Sequence, residues 1–142
     1  MTRLNGKKVF ITQGDDYMGP AIKDLFAKEG AEVTALPGLY RLLRGPSRGA
    51  QNSFVRTAGL EFAPANVQIN AIAQNYVSNP VYYPDELVAS TRFQKHLERN
   101  VPTRRIARQE EQAELALFLA SDKSDFIVGQ VMPFAGGWVT TT

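Results

Sequence analysis

Apolar residues along this chain follow two periods in turn, short near-continuous runs and spacings of three and four, which predict strands alternating with helices. Residues 8–12, Lys-Val-Phe-Ile-Thr, are short, apolar and rich in β-branched and aromatic side chains, as in a strand buried in a parallel sheet. Over residues 21–28 the period changes. Ile22, Leu25 and Phe26 fall at i, i+3 and i+4 on one helix face, and Gly30 supplies the stop. Residues 32–36 read as a second strand, completing a β-α-β unit.

Pro37-Gly38 then breaks the pattern, and residues 39–44 match no period, reading as a loop or a single helical turn. From Gly49 a helical stripe of Ala50, Phe54, Val55, Ala58 and Phe62 runs to Pro64. Residues 67–73 alternate and end apolar, so a strand is predicted there. Residues 74–84 hold Tyr76, Tyr82, Tyr83 and two prolines without a period; a loop after a parallel strand is where such sheets bind ligands. A helix capped by Asp85 is predicted through Asn100 and a second over 110–119, with Leu115, Phe118 and Leu119 on its apolar face. A last strand is read over 128–134. The expectation is one α/β domain over 1–142, a Rossmann-like parallel sheet with flanking helices and an irregular junction around 37–47.

Composition narrows the chemistry. With no cysteine in 142 residues, a disulfide framework, a thiol nucleophile and a cysteine zinc site are excluded. The single histidine, His96, sits among Gln94, Lys95, Glu98 and Arg99 and reads as a surface residue, so no metal site is expected. Net charge is +2, with basic clusters only at 41–48 and at Arg104, Arg105 and Arg108, a weak footprint that argues against nucleic acid as a partner. No apolar run approaches the roughly 20 residues of a membrane span, and residues 1–7 lack a leader's apolar core. A cytoplasmic protein without a membrane partner is expected.

The turn after the first strand carries the sharpest signal. Dinucleotide-binding loops place glycines there so that backbone N–H groups can close on a pyrophosphate at the helix N-terminus. Gly14 and Gly19 remain, but Tyr17 takes the middle position and Asp15 and Asp16 precede it. A phenol fills the volume a diphosphate needs, and the carboxylates repel its charge. No nicotinamide cofactor is expected. Taken alone, Asp15 and Asp16 read as solvated loop charges, too close together for a catalytic carboxylate pair.

The first strand and loop, the Arg48-Gly49-Ala50-Gln51-Asn52 segment, residues 67–73 and the ending from Phe118 to Gly137 together resemble a short-chain dehydrogenase/reductase. The resemblance covers nearly all of the chain except about residues 37–44. Within that superfamily, Thr12-x4-Tyr17-x-Gly19 is similar to the first loop of the halohydrin dehalogenases, and Asn75-Tyr76 with Asn79-Pro80-Val81-Tyr82-Tyr83-Pro84 is similar to their halide-binding loop. This resemblance implies a cofactor-independent lyase that converts vicinal haloalcohols to epoxides, releasing halide, and opens epoxides with small anions. It implies a halide and substrate pocket of Thr12, Tyr17, Gly19, Asn75, Tyr76, Val77, Tyr82 and Tyr83, with no cofactor.

The family's serine, tyrosine and arginine stand at a fixed spacing; with Arg48 as the arginine, the tyrosine position holds Arg44 and the serine position Ala31. Arg48 remains a catalytic candidate, with Tyr40 the nearest phenol. The family's third to fifth strands have no counterpart, so the retained pieces cannot all pair as in the complete fold. The alternatives are an NAD(P)-dependent short-chain reductase, and a non-catalytic truncated member of the family. The resemblance also implies a homo-oligomer, a dimer or tetramer, with Leu115, Phe118, Leu119, Val131, Phe134 and Trp138 offering apolar surface. Trp138 is expected to seal a core or a subunit contact.

Overall fold

The computed structural model describes residues 2–11, 14–15, 17–35 and 46–139, of which 46–48 by backbone alone. Thr12, Asp16, Tyr40, Arg44 and the side chain of Arg48 lie outside the described residues. Strand β1 (Lys8–Ile11) leads into α1 (Gly19–Lys28), which has Pro20 in its first turn, and then into β2 (Glu32–Ala35). The two strands pair in parallel, with Val9 opposite Val33. Helix α2 (Pro46–Phe62) precedes β3 (Ala71–Gln74). There follow α3 (Asp85–Ala89), α4 (Thr91–Asn100), α5 (Gln109–Ala120) and β4 (Val131–Phe134). Strand β4 returns parallel to β3, with Ala71 opposite Val131 and Gln74 opposite Phe134.

The α/β architecture of parallel strands and flanking helices stands. Instead of one sheet, the described strands form two separate pairs, β1–β2 and β3–β4. Helix α5 bridges to the first pair by burying Leu117 against Leu4 and Phe26, with Val9, Ile11, Ile22 and Val33 packed around them. Arg3 ties the same elements together through Glu29 and Glu114, each at 2.9 Å. These ion pairs are exposed and fix orientation more than they stabilise. A second cluster of Tyr76, Leu97 and Val101, flanked by Tyr83, Phe93 and Ile106, packs α4 under the loop that follows β3.

Several sequence expectations need correcting. Strand β3 covers only the end of the predicted 67–73 strand, because Asn70 spans the approach to β4 with its side chain. Its amide donates to the Ile127 carbonyl at 2.7 Å and accepts from the Gln130 N–H at 3.0 Å. The predicted 85–100 helix is two helices, broken at Ser90, whose backbone is extended and whose hydroxyl caps α4 by accepting from the Phe93 N–H. In α5 the buried face is Gln112, Ala113 and Leu117, while Phe118 is 38% exposed. The α2 stripe is also largely uncovered. Phe54 and Phe62 are 65% and 46% exposed, and the helix docks through buried Ala58 and through Gly59 against Gly129.

Candidate functional site

Two loops build the site, the β1–α1 turn and the segment between β3 and α3. Tyr17 in the first loop and Tyr76 in the second both adopt left-handed backbone, with φ of 53° and 54°. For a residue with a Cβ that conformation costs about 1–2 kcal/mol, so the surrounding contacts must hold it. Tyr17 is held by Tyr82. Their rings stack with centroids 5.4 Å apart and 8° between planes, and the phenol oxygens lie 3.2 Å apart. The Asp15 carboxylate turns to Lys23 of α1 at 2.9 Å. Gly14 packs on β2, where an added Cβ would come within 2.5 Å of the Ala35 Cβ. Gly19 is buried as the first residue of α1.

The second loop is knit by two asparagines. Buried Asn79 donates to the Val77 carbonyl and accepts from the Tyr82 N–H, both at 2.9 Å. Asn75 Oδ1 accepts twice, from the Tyr76 N–H at 2.9 Å and from the Tyr83 hydroxyl at 2.8 Å. Those two bonds fix the amide rotamer and leave Nδ2 as its donor atom. Burial raises the Tyr83 phenol pKa, keeping it a donor, although a hydrogen bond with the Tyr76 backbone opposes that shift. Val77 is buried beside Ala107, whose N–H donates to the Tyr76 carbonyl at 2.7 Å and whose carbonyl accepts from the Ser78 N–H at 2.9 Å.

Tyr76 is the centre of an aromatic group. Its ring centroid lies 6.0 Å from that of Tyr83, 5.9 Å from that of His96 and 5.8 Å from that of Trp138, the last pair at 80° between planes. Asn75 and Tyr76 stand on the wall of a cavity of about 500 Å³ that Arg105, Glu111, Phe134 and Gly136 also line. The Arg105 guanidinium grips Glu111 in two hydrogen bonds of 2.6 and 2.8 Å. That pairing, reinforced by the Arg108 N–H, holds the Glu111 carboxyl down at about 2.

With the geometry in view, the chain can be set beside known proteins. A family model described as enoyl-(acyl carrier protein) reductase matches residues 31–139. The chain belongs to this family of short-chain dehydrogenases/reductases. An uncharacterised oxidoreductase of Bacillus subtilis, YmfI, is 29% identical over 121 residues, 83% of this chain and 44% of that protein. The 3-oxoacyl-[acyl-carrier-protein] reductase FabG of Thermotoga maritima is 33% identical over 111 residues, 75% of this chain and 44% of the relative. The chain therefore spans less than half the length of these curated relatives.

Among solved structures, one titled "Dehalogenation enzyme" aligns with a TM-score of 0.79 at 18% identity, over 96% of this chain and 100% of that one. The hydroxysteroid dehydrogenase of Escherichia coli aligns at 0.77 with 16% identity, over 98% of this chain and 99% of the other. At such identities the likeness is one of fold.

In this short-chain dehydrogenase/reductase, Tyr17 meets Tyr82, while Asn75, Tyr76 and Tyr83 meet one another. The turn at Asn79 joins the two groups. Among the described residues no cluster of histidine, cysteine, aspartate or glutamate suits a metal ion, and no helix is long and apolar enough to cross a membrane. Trp138 is 48% exposed and forms a T-shaped pair with Tyr76. Sequence reading missed His96, which is exposed as expected yet bonds the Tyr76 phenol at 2.9 Å. The available signal was its place three residues after Phe93 and next to Leu97, at the border of the apolar face of α4.

Proposed function

We propose that this chain carries the halide- and substrate-binding half of a cofactor-independent haloalcohol dehalogenase. In that reaction the substrate hydroxyl loses its proton to a base and its oxygen bonds to the neighbouring carbon. The carbon–halogen bond breaks and halide leaves with the electron pair; epoxide opening by a small anion is the reverse. The observation that carries the reading is the Tyr17–Tyr82 stack, which fills the first loop with phenol where a reductase keeps room for pyrophosphate. Asn75 adds an amide donor for an anion, and the tyrosine rings supply the apolar wall that strips water from it. Thr12, Gly19 and Val77 complete the proposed pocket, with Arg48 and Tyr40 as the catalytic pair.

A second reading, an NAD(P)-dependent reductase, draws support from the oxidoreductase names of its relatives. The discriminating assay measures halide release from a small vicinal haloalcohol without nucleotide, alongside carbonyl reduction with NADPH. General-base assistance is worth roughly 10²–10⁴-fold, and Arg44 cannot supply it, so Tyr40→Phe should remove whatever release is measured. Carbonyl reduction without halide release would favour the reductase, and neither activity the non-catalytic reading. A homo-oligomer belongs to the same proposal, since Phe54, Leu60 and Phe126 leave apolar surface to cover. Light scattering at low micromolar concentration tests it, and a clean monomer would overturn it.

A further inference from the structure

The donor chain begins at Asn100 on α4. Its Nδ2 donates to the His96 carbonyl at 2.9 Å and lies 3.2 Å from His96 Nδ1. A carbonyl only accepts, so the asparagine atom at that point is the nitrogen, and Nδ1 is left as an acceptor. The imidazole proton therefore sits on Nε2. In that tautomer Nε2, 2.9 Å from the Tyr76 hydroxyl, is the donor of the pair. Tyr76 is buried, stands on the cavity wall beside Asn75, and finds no acceptor for its own O–H among the described residues. Phe93 stacks on the imidazole at 6.0 Å and 15°, fixing the ring plane.

We infer that His96 and Asn100 are positioning residues that set the Tyr76 hydroxyl as a hydrogen-bond donor to the ligand of the site. The chain runs Asn100 to His96 to Tyr76 to a small anion or an epoxide oxygen. It rests on the pocket proposed above, and gives the exposed histidine a role that neither its sequence surroundings nor the predicted pocket contained. Each link orients the next. Without the imidazole N–H, the phenol is free to turn its proton toward His96 and withhold it from the ligand.

Two measurements on the full chain test the inference. Nitrogen-15 spectra of the imidazole should show the Nε2–H tautomer, with the Nε2 resonance displaced in Tyr76→Phe. An Nδ1–H tautomer would overturn the chain. Bromide titration is read through Trp138, the chain's one tryptophan, whose ring centroid is 5.8 Å from that of Tyr76. His96→Leu and Tyr76→Phe should each weaken bromide by roughly two- to tenfold, as for one lost hydrogen bond, and the double variant no further. His96→Gln, whose amide can donate to the same oxygen, should restore most of the affinity. A folded His96→Leu protein that binds bromide like the unsubstituted chain would sink the inference. Absence of any saturable bromide response in the unsubstituted chain overturns the anion pocket itself, and the imidazole spectrum then still decides the Asn100–His96–Tyr76 chain.

Discussion

The phenol oxygens of Tyr17 and Tyr82, 65 residues apart in sequence, lie 3.2 Å from each other across rings only 8° from parallel. This contact joins the turn after the first strand to the loop after the third. It also answers an energetic question. Left-handed backbone at Tyr17 costs about 1–2 kcal/mol, and an aromatic stack contributes about 0.5–1.5 kcal/mol, with the hydroxyl contact adding to it. The strained backbone at Tyr17 is held by the Tyr82 ring it stacks on.

Dinucleotide binding should fail for that reason. Calorimetry at millimolar NADH or NADPH should show no saturable heat, since a pyrophosphate would have to displace Tyr17 from Tyr82. Tyr82→Ala removes the stack and should loosen the first loop without creating a glycine cradle. A micromolar dissociation constant for either nucleotide in the unsubstituted chain would decide for the reductase.

Asn75 offers a sharper test of the proposed anion site. Asn75→Asp keeps the Oδ1 acceptor used by Tyr76 and Tyr83 but exchanges the Nδ2 donor for a carboxylate oxygen. Hydrogen bonds to charged groups are worth about 1.5–3 kcal/mol, so bromide affinity should fall by roughly tenfold or more. Unchanged affinity in the titration would remove Asn75 from the pocket.

Much of the architecture was legible because it is local. The run from Val9 to Ile11 and the spacing of Ile22, Leu25 and Phe26 fix a strand and a helix face whatever surrounds them, and both form where the pattern put them, although the strand expected to be buried leaves Phe10 61% exposed. What failed depended on partners. Phe54 and Phe62 share a helical stripe with Ala58, yet in the described fold Ala58 is buried while Phe54 and Phe62 stay 65% and 46% exposed. Asn70 shortened β3 by using its side chain in place of a backbone ladder, which alternation alone cannot reveal. In the candidate site, the loop that carries Asn75 and Tyr76 was legible, whereas the His96 contact depends on how α4 is seated beneath it.

Acid should weaken the wall of the cavity in a defined window. The folded Glu111 carboxyl is held at about 2, against an ordinary value of 4.5, chiefly by Arg105 and then by the Arg108 N–H. A depressed carboxylate contributes stability in full above the unfolded value and loses it as pH falls through the folded one. Thermal midpoints should therefore drop between about pH 4.5 and about pH 2, and Glu111→Gln should flatten part of that slope. An identical slope in the Gln variant would show that other carboxylates carry the acid sensitivity.

Helix α2 supplies a test in which two glycines of the same helix behave oppositely. Glycine inside a helix ordinarily costs about 1 kcal/mol relative to alanine, so replacing it should stabilise. Gly49 is exposed and a Cβ there meets nothing within 4 Å, so Gly49→Ala should raise the thermal midpoint. Gly59 is the docking point. A Cβ there would lie 2.5 Å from Gly129 Cα and 2.7 Å from Gly129 N, backbone atoms fixed by φ of +69° and by the Gly129 N–H bond to the Ile69 carbonyl at 2.9 Å. Overpacking against backbone costs about 1–3 kcal/mol, more than the propensity gain, so Gly59→Ala should lower the midpoint. Both substitutions raising it would mean that α2 is not seated on Gly129 in solution.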